Sequence, residues 1–153
     1  MNQRKPKLLD PEGLWQYALR TLGGRAHSTG ELREKLRRRA AKVGDVDEVI
    51  ARLKESAYLD DRRFAESFAA ARLAGEKLGS GRVTRDLRQR RVAPTLAEQT
   101  VKRVFEGVDE QDLIEVWIRK KYRAADREGF FRDEKDLASA YRRLLHAGFR
   151  SGE

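Results

Sequence analysis

The chain has 153 residues, of which 34 are Lys or Arg and 25 are Asp or Glu, so its formal net charge is +9. A protein with this excess of positive charge is expected to bind polyanions. It contains no cysteine, which excludes a disulfide framework and a thiolate metal site. No segment has the roughly 20 apolar residues that span a bilayer, and no apolar signal segment follows the basic N-terminus, so we expect a cytoplasmic protein.

The first predicted module covers residues 11–59 and has three amphipathic helices, with apolar residues at every third or fourth position. The helices begin at three start signals, which are Asp10-Pro11, Ser28-x-x-Glu31 and Asp45-x-x-Glu48. Gly23-Gly24 ends the first helix, and the second helix continues to about Ala41. Residues 1–10 are predicted to form an N-terminal tail.

The second predicted module covers residues 60–108 and repeats this organisation. Its first helix is predicted to continue to about Lys77. The three helices are predicted to begin at Asp60-Asp61, after the break at Gly79-Ser80-Gly81, and at Thr95-x-x-Glu98 behind Pro94.

A third predicted module covers residues 109–153 and is shorter by one helix. Asp109 begins its first helix, and a second helix ending at Gly148 follows a polar stretch at 124–132. The apolar residues of this second helix are Leu137, Tyr141, Leu144 and Leu145. Because the last helix is missing, we expect this module to be the least protected against hydrogen exchange.

The apolar pattern recurs at an interval of about fifty residues. Four positions of the first module are matched 51 positions later in the second, which pairs Leu32, Leu36, Ile50 and Leu53 with Val83, Leu87, Val101 and Val104. A fixed interval of this size is typical of repeat proteins whose units stack on one another. The predicted fold is therefore all-α, an elongated tandem array of three-helix modules with the third one incomplete.

The excess positive charge lies in the first two modules. Residues 1–59 carry 13 basic against 8 acidic side chains, residues 60–108 carry 11 against 7, and residues 109–153 carry 10 against 10. Basic residues crowd the second helix of the first two modules, and the candidate binding residues are Lys35, Arg37, Arg38, Arg39, Arg82, Arg85, Arg88, Arg90 and Arg91. Equivalent helices of a stacked array face one side, so we expect one basic stripe facing DNA or an acidic protein surface. A solvated surface that only aids solubility is the alternative.

The segment Tyr58-Leu59-Asp60-Asp61-Arg62-Arg63-Phe64-Ala65, followed by Gly81-Arg82-Val83 and Leu87-Arg88-Gln89-Arg90, closely resembles the RecX family of bacterial modulators of the RecA recombinase. The resemblance extends from about Leu14 to Phe149. It implies a regulator that lies along the RecA–DNA filament, lowers its ATP hydrolysis and limits strand exchange. The chain departs from the family pattern at Arg91-Val92, where a glycine and an apolar residue are usual.

The family motif is predicted to act structurally, as a helix cap and a joint between modules, through Tyr58, Leu59, Asp60, Asp61, Phe64 and Ala65. No further carboxylates or histidines accompany Asp60 and Asp61 at the spacing of a metal site. The residues present assemble no catalytic group either. We therefore expect no metal, no cofactor and no enzymatic activity.

The expected partners are the RecA filament and, weakly, single-stranded DNA, with no membrane contact and a monomeric state. One alternative is a basic helical DNA-binding module without a recombinase partner, although the basic helices have few Asn or Gln to recognise bases. A scaffold repeat protein with no nucleic-acid role is the other alternative, and the concentration of charge in two modules argues against it.

Overall fold

The computed structural model describes residues 4–122 and 133–149, and these residues form eight helices and no strand. The helices are α1 (Pro11–Gly24), α2 (Thr29–Arg39), α3 (Gly44–Glu55), α4 (Asp61–Gly75), α5 (Ser80–Gln89), α6 (Pro94–Val104), α7 (Glu110–Lys121) and α8 (Glu134–His146). The prediction of an all-α fold is confirmed. The polar stretch predicted at 124–132 and the chain end at 151–153 lie outside the described residues.

The chain divides into two compact units. The first unit ends at Phe64 and also takes in Arg90–Val92, and the second comprises the other described residues. In the first unit, α1, α2 and α3 pack on one another around a single core. That core includes Trp15, and its largest fully buried side chains are Leu14, Leu32, Leu36, Val46, Ile50 and Leu53.

The N-terminal segment is held against the end of α2. The Leu9 backbone N–H donates to the Arg39 carbonyl at 2.7 Å, and the Ala41 N–H donates to the Leu9 carbonyl at 2.9 Å. These two bonds form an isolated parallel bridge between Leu9 and Ala40. The end of the segment predicted as a tail is therefore fixed to the first unit by backbone hydrogen bonds.

Aspartates begin the first helix of each predicted module. The Asp10 carboxylate accepts from the Gly13 backbone N–H at 2.8 Å, that of Asp60 from Arg63 at 3.1 Å, and that of Asp109 from Gln111 at 2.9 Å. The capping box of Ser28 and Glu31 at the start of α2 is also present. These bonds satisfy N–H groups that have no partner within the helix.

Two predicted caps are wrong. Asp45 and Thr95 do not cap their helices, because α3 begins at Gly44 and α6 at Pro94, with no side-chain cap bond at either start. Both side chains therefore lie inside the first turn. The Asp45 carboxylate still adds negative charge near the positive end of α3.

In the second unit, α5 packs on α6, and the end of α8 contacts the start of α5. The Gly79 N–H donates to the Ala147 carbonyl at 2.9 Å and the Gly81 N–H donates to the Gly148 carbonyl at 3.1 Å. Gly148 has φ +93°, a conformation that L side chains rarely adopt. The predicted break at Gly79-Ser80-Gly81 is thus the place where two backbones meet.

Three large hydrophobic side chains of α8 are exposed. Leu137 is 57% exposed, Tyr141 50% and Leu145 42%, and they lie four residues apart along one face of the helix. Ala140, on another face, is 6% exposed, and Phe149 after the helix packs its ring on Trp117 at a centroid distance of 6.5 Å. Backbone hydrogen bonds hold the C-terminal end of α8, whereas the face with Leu137, Tyr141 and Leu145 is exposed. Low protection of this helix against hydrogen exchange therefore stays a prediction.

Arg91 has a left-handed backbone, with φ +60°, just after α5 ends. A non-glycine residue in this region costs about 1–2 kcal/mol. The Arg91 guanidinium pairs with Glu34 at 2.8 Å, but both side chains are substantially exposed and such pairs contribute little. The position therefore favours glycine.

We expect Arg91→Gly to raise the free energy of unfolding by about 0.5–1 kcal/mol, since relief of backbone strain exceeds the loss of an exposed ion pair. Arg91→Ala is the matched control, because it removes the same ion pair and keeps the left-handed backbone. Urea unfolding of the three proteins tests this. A glycine variant no more stable than the alanine variant would contradict it.

Candidate nucleic-acid and protein interface

The four predicted cations of α2 do not share one face. Successive residues of a helix are separated by about 100°, so Lys35, Arg37, Arg38 and Arg39 spread around the helix axis. Arg37 and Arg38 are exposed, and Arg38 pairs with Glu34 at 2.8 Å. Lys35 and Arg39 are half-buried, and the Arg39 guanidinium carbon lies 4.8 Å from the Tyr17 ring centroid. Arg37 and Arg38 are therefore the α2 cations most open to a partner.

The three predicted arginines of α5 lie along one side of the helix, because they are three residues apart. Arg82 pairs with Asp86 at 2.9 Å, and its guanidinium also donates to the His146 carbonyl at 3.4 Å. The Arg85 guanidinium donates to the same carbonyl at 3.0 Å. Arg82 and Arg85 thus hold the C-terminal end of α8, where positive charge complements the helix dipole. Arg88 is exposed at the other end of the row.

Arg90 and Arg91 are bound by acids of α2. The Arg90 side chain contacts Glu31 at 3.0 Å, and its guanidinium carbon lies 5.3 Å from the Phe64 ring centroid. The Arg91 side chain contacts Glu34. Arg90 therefore holds this segment beside α2, and the more exposed Arg91 pair adds little to that contact. Whether the cations of α2 and α5 form a single stripe stays a prediction.

Glu31 is the centre of a hydrogen-bond network that the sequence did not predict in full. Its carboxylate accepts from the Ser28 backbone N–H at 3.3 Å and pairs with Arg25 at 3.2 Å as well as with Arg90. The Ser28 hydroxyl donates a short hydrogen bond to the Arg90 carbonyl. Burial alone would raise the pKa of Glu31, but the bonds from Ser28, Arg90 and Arg25 together lower it.

His27 lies beside this network and is buried. Its Nδ1 lies 2.9 Å from the Arg25 carbonyl. Burial lowers the pKa of His27, because the charged imidazolium loses its hydration there. The hydrogen bond to the Arg25 carbonyl opposes this shift only in part.

The two acids of the family motif bind the starts of two different helices. Asp60 caps α4, of which Asp61 is the first residue. The Asp61 carboxylate instead accepts from the Thr29 backbone N–H at 2.7 Å, and Thr29 is the first residue of α2. The pair is therefore a double cap, joining the start of α4 to the start of α2.

Asp109-Glu110 repeats this arrangement. Asp109 caps α7, and the Glu110 carboxylate accepts from the Ser80 hydroxyl at 2.6 Å and from the Ser80 N–H at 3.3 Å. Ser80 is the first residue of α5. The same contact therefore occurs twice in the repeat. In each case the acidic first residue of one helix, Asp61 of α4 or Glu110 of α7, binds the start of the second helix of the preceding predicted module.

The other motif residues are mostly buried. Leu59 is 3% exposed, Phe64 8% and Ala65 0%. Tyr58 is 55% exposed, and its ring meets that of Trp15 edge to face at a centroid distance of 6.3 Å, so its role at a joint stays a prediction. The alternation of an exposed Tyr58 with a buried Leu59 follows from the turn that links α3 to α4.

Within residues 4–122 and 133–149, no three His, Asp or Glu side chains come together as a metal site. Over the same residues, no helix is both long and apolar enough to cross a membrane.

Two family models match the chain. Residues 15–53 match the model described as RecX, first three-helix domain, and residues 60–101 match RecX, second three-helix domain. The tandem three-helix organisation predicted from the sequence is thereby confirmed.

Similar proteins and structures carry the same name. A protein named Regulatory protein RecX from Deinococcus radiodurans is 35% identical over 148 residues, which cover 95% of this chain and 68% of the relative. One of the same name from Trichlorobacter lovleyi is 28% identical, over 92% of this chain and 90% of the relative. A crystal structure of RecX from Lactobacillus salivarius shares the fold with a TM-score of 0.76 at 18% identity, over 92% of this chain and 88% of that one. The chain therefore belongs to the RecX family.

Proposed function

We propose that this protein binds the RecA–DNA filament and lowers RecA's ATP hydrolysis and strand exchange, without catalytic activity of its own. The observation that carries the proposal is the match of both three-helix domains to the RecX family, in which the similar proteins are named regulatory proteins. A regulator of this kind acts by binding one state of the filament better than another.

The side chains proposed to meet the filament are exposed cations of the first two modules. Arg37 and Arg38 lie on α2 and Arg88 on α5, and all three are exposed. Arg82 and Arg85 are poorer probes of this contact, since they also bind the end of α8. The proposed module boundaries stay at 11–59, 60–108 and 109–153.

The direct test measures RecA ATPase on single-stranded DNA at increasing concentrations of this protein. We expect the wild-type chain to lower the rate, and the triple variant Arg37→Gln, Arg38→Gln, Arg88→Gln to need a higher concentration for the same effect. Free binding to single-stranded DNA should weaken as salt rises, and the triple variant should reduce the log–log slope by up to about 2, or roughly 0.7 per lost phosphate contact.

The matched control is Arg119→Gln, Lys120→Gln, Lys121→Gln. It removes three exposed cations from the predicted module that has no net charge. Inhibition that falls equally in both variants would contradict a specific surface on the first two modules. If the wild type binds DNA but leaves the ATPase unchanged on saturating DNA, the protein is a DNA-binding module without a recombinase partner.

A further inference from the structure

Tyr58 presents its ring to solvent from a fixed backbone. The backbone N–H groups of Tyr58 and Leu59 both donate to the Leu53 carbonyl, at 2.9 and 3.2 Å. Ala57 before them has φ +59°, and Leu59 after them is buried in the core of the first unit. The turn is therefore held on both sides of an exposed aromatic ring. Binding of a ligand to this ring therefore costs little conformational entropy of the protein backbone, because the turn is already ordered.

Two arginines contact the immediate neighbours of Tyr58. The Tyr58 and Trp15 rings meet edge to face, with centroids 6.3 Å apart and planes at 77°. The Arg52 guanidinium carbon lies 3.9 Å from the centroid of the same Trp15 ring. The Arg63 guanidinium donates to the Ala57 carbonyl at 3.0 Å, next to the Tyr58 peptide. Contacts within the first unit thus hold one guanidinium on the ring that Tyr58 meets and another on the carbonyl just before Tyr58.

Neither guanidinium is neutralised by an ion pair within the described part of the chain. Asp60, three residues before Arg63, accepts the backbone N–H of Arg63 as a helix cap. Arg52 and Arg63 are both exposed, so their charge is available to an anionic ligand. A single exposed tyrosine is ordinary, but one whose immediate neighbours each hold an arginine without an ion pair is not.

We propose that Tyr58, Arg52 and Arg63 form a stacking site for one base of single-stranded nucleic acid. Every base has a π-face that an aromatic ring can cover, and the phosphates beside it suit guanidinium groups. The site takes single strands, because the bases of a duplex are already stacked. This inference rests on the part of the proposed function that brings the protein to single-stranded DNA.

The test compares binding to a labelled oligothymidylate and to an abasic oligomer of the same length, by fluorescence anisotropy. We expect Tyr58→Ala to weaken oligothymidylate binding about tenfold, as loss of one stacked base does. Tyr58→Phe should bind as the wild type does, since it keeps the ring. Neither change alters the charge, so the salt slope should stay the same, whereas Arg52→Gln should lower it by about 0.7.

Tyr141→Ala is the matched control, since Tyr141 is also about half exposed and precedes two arginines, Arg142 and Arg143. It should leave binding unchanged, and circular dichroism should show that every variant is folded. Equal oligothymidylate affinity of Tyr58→Ala and wild type would overturn the stacking site, and so would an equal loss on the abasic oligomer. Wild-type protein that binds neither oligomer would overturn the DNA contact of the proposed function as well.

Discussion

Gly79→Ala is expected to lower the free energy of unfolding of the second unit by about 3 kcal/mol, because the added methyl group has no room. Its Cβ would lie 2.6 Å from the Phe149 backbone nitrogen and closer still to the Gly148 carbonyl. The atoms in the way belong to the backbone and cannot turn aside as a flexible side chain would. The end of α8 must therefore shift, which breaks the bond from the Gly79 N–H to the Ala147 carbonyl.

Gly75→Ala is the control for this substitution. Gly75 is the last residue of α4, and an added Cβ there meets nothing within 4 Å. We expect no loss of stability in this variant, because alanine favours the helix more than glycine does. Urea unfolding and hydrogen exchange of α8 would measure both variants. Protection of α8 in Gly79→Ala equal to that in the wild type would show that the two backbones do not meet as described.

Glu31→Gln is expected to lower the free energy of unfolding of the first unit by about 2–3 kcal/mol at neutral pH. The Glu31 side chain is only 14% exposed and accepts bonds from Ser28, Arg25 and Arg90. The amide loses the negative charge that these donors stabilise. Glu34→Gln is the control, because Glu34 pairs with Arg38 and Arg91 at more exposed positions, where ion pairs contribute little.

The same network makes stability depend on pH. The folded pKa of Glu31 is lowered, so its contribution is present above the pKa of the unfolded chain and is lost as pH falls through the folded pKa. The folded pKa of His27 is also lowered, and the unfolded chain takes up that proton first as pH falls below the ordinary histidine value. Stability should therefore fall in two steps on acidification. Glu31→Gln should remove the lower step and His27→Asn the upper one.

Local signals in the sequence predicted the helices and most of their starts. Asp10, Asp60 and Asp109 act on residues two or three positions away, and the capping box of Ser28 and Glu31 spans three positions, so spacing alone identifies them. The caps predicted at Asp45 and Thr95 were wrong because α3 begins at Gly44 and α6 at Pro94. An earlier start leaves the apolar face of either helix unchanged, so the apolar pattern does not fix the first residue.

Contacts between distant segments could not be predicted in this way. Asp61 binds Thr29 across 32 positions, and Arg85 binds the His146 carbonyl across 61. A basic residue that binds a helix end has the same sequence signature as one that faces solvent. Composition therefore predicted that the arginines of α5 bind a partner molecule. In the structure, Arg82 and Arg85 instead donate to the His146 carbonyl at the end of α8, in the same chain.

The contacts of Asp61 and Glu110 also determine when the start of each bound helix can gain its partner during synthesis of the chain. A ribosome synthesises the chain from its N-terminus, so Thr29 gains its carboxylate partner only after Asp61 has been made. Ser80 waits in the same way for Glu110. In the first two predicted modules, the start of the second helix is thus bound by the first residue of the next module's first helix. We therefore expect a nascent chain to gain stability in steps of about fifty residues. A fragment that stops at Leu59 would contain every buried residue of the hydrophobic cluster between α1, α2 and α3 and still lack the acid that binds the start of α2.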